Sequence, residues 1–156
     1  RYIDIAHYLD GRSETIREGH NIVTDSGLGL VVGALGGLTT GIAQWWVGTG
    51  DSSWDTEGTP AATADRTALV SPLFRKSVTV SYWNRETGTF SAAPTDTIDV
   101  RAIFLAEEAN GALREFGLVG PGPDYRLFNY VTHGSIAKDE KFNLERIMRV
   151  TVRRVD

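Results

Sequence analysis

Apolar and polar residues alternate strictly in "SVTVSYWN", with Val78, Val80 and Tyr82 set against Ser77, Thr79 and Ser81. A period of two is the mark of a strand with one buried face, and "NRETG" follows it as a turn. "TIDVRAIFL" repeats the pattern, with Ile98, Val100, Ala102 and Phe104 on one face and Asp99 and Arg101 on the other. "FNLERIMRVTVRRV" places Phe142, Leu144, Met148, Val150 and Val152 opposite Glu145, Arg149, Thr151 and Arg153. "ALREFGLVG" and "YRLFNYVTHG" are shorter, less regular strands joined by the breaker "GPGPD". Near the start, Asp10-Gly11 is a hairpin signal between a stretch led by Ile3, Ile5 and Tyr8 and one carrying Thr15, Ile16 and His20. These patterns predict that Val78, Val80, Tyr82, Ile98, Val100, Phe104, Met148, Val150 and Val152 share one core between two sheets.

The period changes once. Thr24, Asp25 and Ser26 offer N-cap oxygens ahead of Leu28, Val31, Val32 and Leu35, which stand at i, i+3, i+4 and i+7 on one helical face. Gly27, Gly29 and Gly33 each cost about 0.5 to 1 kcal/mol relative to Ala in a helix interior, so packing must hold this segment. Gly29 and Gly33, four apart, leave a shallow strip where a strand or a neighbouring subunit is expected to lie close. Gly36 and Gly37 end the helix as C-cap residues.

In "AQWWVGTG", Ala43 to Val47 reads as a strand and Gly48 to Gly50 as its exit. Trp45 and Trp46 are consecutive, so one points into the core and the other to an outer surface. The polar stretch "GDSSWDTEGTPAATADRTA" that follows is longer than a usual connection and is expected to be functional, mobile or docked on a partner. Short strands spaced by turns, with one helix near the start, predict a mainly β fold: an antiparallel β-sandwich with one short α-helix near the N-terminus. A single domain over 1–156 is expected, with the polar insertion at about 50–68.

Composition narrows the function classes. The 156 residues suffice for one core without disulfides, and the chain has no cysteine, which excludes a disulfide framework and a cysteine-type zinc site. A formal charge of -4 argues against binding nucleic acid or an anionic membrane face, the Arg-rich "RIMRVTVRRV" being the contrary hint. The longest apolar run, "LGLVVGALGGL", has about eleven residues where a membrane-spanning helix needs roughly twenty. No signal-peptide pattern is present, and the start at Arg1 in place of Met is read as the loss of a few residues.

Candidate chemistry is sparse. Gly48-Thr49-Gly50 lacks the later glycine of a dinucleotide fingerprint, and Gly36 and Gly41 have P-loop spacing without its Lys and Ser/Thr, since Ile42 and Ala43 stand there. Asp51, Asp55 and Glu57 carry oxygens suited to calcium, but not at EF-hand spacing. His7, His20 and His133 show neither metal-ligand spacing nor a nearby nucleophile elbow. Glu107 and Glu108 are adjacent, whereas glycosidic acid-base work needs facing carboxyls about 5 to 9 Å apart. Trp45, Trp46, Trp54 and Trp83 suit either a sugar-stacking platform or, more simply, core and subunit contacts. No enzyme, cofactor or metal is expected from these residues.

Five segments in order, "GHNIVTDSGLGLVVGALGG", "WWVGTG", "ADRTALVSPLFRKSVTV", "EEANGALREFGLVG" and "LFNYVTHGSIAKDEKFNLERIMRVTV", resemble a group of small structural proteins of tailed bacteriophages. The likeness runs from Gly19 to Val152, and it is the order of the segments that carries it. In that group a polar Asn leads into a short helix, a strand ends in a "VGTG"-like turn, and an "LREVGLFG"-like strand follows an "EANG"-like turn. The resemblance implies a virion component, a tail-fibre, baseplate or head-decoration subunit, acting as a homo-oligomer against other virion proteins. It brings no catalytic residues. The double tryptophan and the acidic insertion depart from the group's pattern, so the expected contact residues are Trp45, Trp46 and Trp54 with Gly29 and Gly33. A carbohydrate-binding module that meets a host-surface glycan through surface tryptophans is the alternative.

Overall fold

A computed structural model describes residues 1–154. Val155 and Asp156, the end of the expected domain and of the Arg-rich tail, lie outside the described residues. The elements run β1 (Tyr2–Tyr8), β2 (Ser13–Gly19), β3 (Ile22–Val23), α1 (Asp25–Leu35), β4 (Gln44–Gly48), α2 (Trp54–Glu57), β5 (Pro72–Ser77), β6 (Thr79–Asn84), β7 (Thr89–Ser91), β8 (Thr97–Phe104), β9 (Gly111–Val119), β10 (Asn129–Lys138) and β11 (Phe142–Thr151). They form two antiparallel sheets, ordered β2-β1-β11-β8-β6-β7 and β3-β10-β9-β4-β5. The mainly β, antiparallel sandwich expected from the alternation is the fold observed.

The inner faces meet in one core. Phe104, Leu144, Met148 and Val100 from the first sheet pack against Trp45, Val47, Leu113, Phe116 and Leu118 from the second. Val78, Ile98 and Val150 are partly buried against it. Val80, Tyr82 and Val152, expected in that core, are exposed. Val80 pairs with buried Val100 and Tyr82 with Ile98, so both point to the inner face as the alternation required. They lie toward the β7 edge, however, past the cover of the second sheet, and Val152 follows the end of β11. The stretch read as one strand from Ser77 also changes sheets at Val78, because β5 belongs to one sheet and β6 to the other.

The inner face of the first sheet carries charge where its neighbours carry methyl groups. Asp4 lies between Tyr2 and Ala6, and Arg146 between Leu144 and Met148; both are fully buried. The register sets Asp4 directly opposite Arg146 on one side and Arg17 on the other. Arg146 Nη2 is 3.2 Å from Asp4 Oδ2 and donates to His133 Nε2 at 3.1 Å, while His133 Nδ1 donates to the Gly134 carbonyl at 2.8 Å. Phe116 from the second sheet covers the guanidinium, 4.4 Å from its ring centroid. Burial pulls the Asp4 carboxyl up and Arg146 and Arg17 draw it back, while burial lowers Arg146 against the pull of Asp4.

The insertion is neither free nor outstretched. It lies over the outer face of the second sheet, where Leu69 and Ala62 join Val119, Leu127, Tyr130 and Trp46 in a smaller cluster. Glu115, fully buried on β9, accepts from Val70 N at 2.9 Å, Ser71 N at 2.7 Å and the Tyr130 hydroxyl at 2.7 Å. Thr132 Oγ1 donates to the Pro60 carbonyl at 2.6 Å, and Arg114 grips Asp55 and the Thr49 carbonyl. Asp55 lies in the first turn of a short helix, α2, that the polar pattern did not predict.

Two outcomes follow from the buried cluster. Asp4→Leu leaves a buried guanidinium without its carboxylate and should cost about 3 to 5 kcal/mol, whereas Asp4→Leu with Arg146→Met should regain most of that in urea unfolding. His133 is pushed down to about 3, first by burial and then by Arg146. Its folded value lies below the unfolded value of about 6.5, so the unfolded chain takes up a proton first as pH falls. Stability is therefore lost progressively below pH 6.5, and Asp4, shifted upward, acts in the opposite sense. Comparing the parent with His133→Gln isolates the histidine: between pH 7 and 5 the parent should lose about 2 kcal/mol more than the variant in urea titrations.

Candidate functional site

α1 is held by its first turn. Thr24 Oγ1 accepts from Gly27 N at 3.0 Å, and Thr24 N and Ser26 Oγ donate to the carbonyls of Phe128 and Leu127 at 3.0 and 2.8 Å. The expected N-cap is thus present, and it also ties the helix to the segment entering β10. Gly27 and Leu30 are the buried residues of α1. A Cβ on Gly27 would overlap the Phe128 carbonyl, and one on Gly120 would overlap the Leu30 side chain. The close backbone approach expected at Gly29 and Gly33 therefore falls at Gly27. A Cβ at Gly29 would meet only Arg126 Nη1 at 3.5 Å, and one at Gly33 only Thr39 Cγ2 at 3.1 Å. Both glycines line an open groove shared with Val32, Leu38 and Pro121.

The apolar face read from the i, i+3, i+4, i+7 spacing faces out. Leu28 is 59% exposed, Val32 69% and Leu35 85%, and Leu38 beyond the C-cap is 87% exposed. Val31 at their flank is exposed as well. From Ser26 to Gly50 there is no ionisable side chain, and the charges beside this face are Asp124 and Arg126, which line the groove with Gly29 and Gly33. Gly36 ends the helix, its N–H reaching the Val32 carbonyl at 3.0 Å, and Gly37 takes φ +71°. The signal that distinguishes the two faces is Gly27: only a residue without Cβ lets the helix lie on the Phe128 carbonyl, and Leu30 shares that side. Leu28, Val32, Leu35 and Leu38 thus leave on α1 an apolar surface that the subunit itself does not cover.

The tryptophans separate. Trp45 is fully buried, 5.5 Å from the Phe116 ring, so this interface candidate belongs to the core instead. Trp46 points to the opposite face of β4, as consecutive strand residues must, and is half-buried between Tyr125 and Arg75 at 5.5 and 5.9 Å. Trp54, in α2, packs its ring on Gly50, whose φ of +57° and lack of a Cβ permit the contact. Trp83 sits on the other sheet, beneath Arg149 at 3.7 Å. Trp46 and Trp83 therefore cannot act as one sugar platform.

Three of the candidate carboxylates, Glu108, Asp51 and Asp55, are held by the fold, while Glu57 and Glu107 are exposed. Glu108 pairs with Lys76 and accepts from Leu105 N at 2.9 Å; these contacts outweigh the upward pull of burial and keep its carboxyl below the usual range. Asp51 accepts from Ser53 N at 2.9 Å, and Asp55 is bound by Arg114 at 2.9 Å, which lowers its carboxyl. His7 bridges Ser13 and Glu145 at 2.8 and 2.6 Å. No known protein family, curated protein or solved structure matches the chain.

The glycines of α1 give opposite outcomes. Gly29→Ala adds a methyl in ordinary contact and relieves helix entropy, so it should stabilise the monomer by about 0.5 to 1 kcal/mol. Gly27→Ala drives a methyl into the Phe128 carbonyl and should destabilise by about 1 to 3 kcal/mol or more. Thermal melts of both, in conditions where the chain is monomeric, check the pair of signs.

Proposed function

We propose that this chain is a structural subunit of a tailed-bacteriophage virion, tail-fibre or baseplate-associated, which assembles as a homo-oligomer and docks other virion proteins. The observation that carries the assembly reading is the unpartnered apolar face of α1, Leu28, Val32 and Leu35 continued by Leu38. The ordered segments from Gly19 to Val152 support the virion context.

A second copy is the occupant this face suits. Between Ser26 and Gly50 it carries no charge of its own, the flanking Asp124 and Arg126 are of opposite sign, and two such faces related by a two-fold axis complement each other without any further element. Burying a leucine fully contributes about 1.5 to 3 kcal/mol, so a few of them from each copy outweigh the freedom lost on pairing only if the helices lie close. Gly29 and Gly33 beside the face permit that approach, and nothing inside the subunit requires glycine at position 29. The fold contributes rigidity: the sheets cross-connect through Arg146 and the insertion straps the outer face, so repeated copies present the same surface.

Leu35→Asp tests the reading. Leu35 has little internal contact to lose, so the variant should melt as the parent does. Light scattering over a dilution series should give a mass of more than one chain for the parent and of a single chain for the variant. A parent that stays monomeric at every concentration, or a variant that associates equally well, rejects α1 as the assembly surface.

A further inference from the structure

Where β11 ends beside the start of β1, a cleft of about 470 Å³ is lined by Arg1, Arg85, Arg149 and Arg153 together with Trp83 and Val150. Among the described residues, no acidic side chain lines it. This concentration of positive charge runs against a net charge of -4 over the whole chain. The acids stand behind the arginines and aim them. Asp99, buried, takes Arg149 Nε at 2.7 Å and Nη2 at 2.8 Å, and Asp96 takes the same edge of Arg85. Neither carboxylate engages the Nη1 nitrogens. Arg149 is fixed a second time by the Trp83 ring at 3.7 Å, and Phe90 holds that ring edge-on at 5.3 Å.

We infer that this cleft binds a carboxylate-bearing saccharide, its carboxylate on the arginines and its C–H face against the apolar wall of Val23, Phe128 and Val150. The size is that of small-ligand sites, about 300 to 1,000 Å³. Guanidinium groups suit a planar carboxylate, and an apolar wall suits the C–H face of a sugar ring. An inorganic anion would use the arginines and leave the apolar wall bare. A nucleic-acid strand needs an extended basic track, and here Glu18, Asp96 and Asp99 bound the arginines. The four arginines are separated by as many as 152 positions, so only the closing of β1, β6 and β11 into one sheet end assembles them.

Titrating the protein with N-acetylneuraminic acid and with glucuronic acid, read by tryptophan fluorescence, tests this, with glucose and inorganic phosphate as controls. A saturable change is expected for at least one sugar acid and not for glucose, with phosphate weaker by tenfold or more. Arg85→Gln with Arg153→Gln should raise the midpoint at least tenfold without altering the melting temperature. Should that pair melt low, Arg153→Gln alone, outside the strands, should still raise it at least threefold. No saturable response to either acid, an equal response to glucose or phosphate, or an unchanged midpoint in the variants overturns the inference. These readouts require no self-association, so they stand or fall separately from the assembly of α1.

Discussion

A guanidinium with no access to water is the constraint around which this sandwich is arranged. Arg146 occupies an inward position of a central strand, where a leucine would pack at no electrostatic cost, and taking a charge from water costs several kcal/mol unless it is compensated. Part of that compensation arrives from both sheets, from Asp4 beside it in the register, His133 accepting from across the core and Phe116 stacked on its face, while Nε and Nη1 of Arg146 find no hydrogen-bond partner among the described residues. A one-residue slip of β1 against β11 would turn Asp4 outward and leave the arginine alone. The pair therefore contributes more to choosing one register than to net stability, since apolar residues of similar volume would stabilise at least as well.

Glu115 plays a related part on the outer face. It is a buried carboxylate satisfied by two backbone N–H groups and a hydroxyl, so the segment at Val70 and Ser71 cannot lift away without exposing a carboxylate whose partners have gone. Gly48 makes room for it, since a Cβ there would overlap both Glu115 and the Ser71 carbonyl. With the strap in place, β9 is buried from Leu113 to Val119, both faces covered, which is why its sequence showed no clean alternation.

The alternation of two made the sandwich legible, because any strand with one wet face must show it. Val100, Ala102, Phe104, Leu144 and Met148 were readable for that reason, as was the division of Trp45 from Trp46. The hairpin at Asp10-Gly11 and the cap at Thr24 were legible from local chemistry alone. What periodicity cannot report is coverage. Val80 has the right parity and no sheet above it, and the face of α1 has the right spacing and the wrong side. Nor does a polar run reveal that it will lie down on its own sheet, since the groups that fasten it, Glu115, Arg114 and Thr132, belong to distant strands. Of the arginine cleft, only Arg149 and Arg153 showed in the sequence, in the Arg-rich final stretch, because Arg1 and Arg85 join them only through the fold.

The helix is where these two kinds of information meet. α1 has three interior glycines and one buried leucine, so neither propensity nor packing gives it much stability beyond its first turn. A sequence under no pressure on the outer face would exchange some of Leu28, Val32, Leu35 and Leu38 for charged residues, which are good helix formers and keep a chain soluble. Holding that face apolar costs the lone subunit solubility, and Gly29, which packing inside the subunit does not require, costs it helix stability as well. Such a conflict between local preference and the isolated fold is expected at a working surface, and it is the physical ground on which α1 is proposed as the surface for self-association.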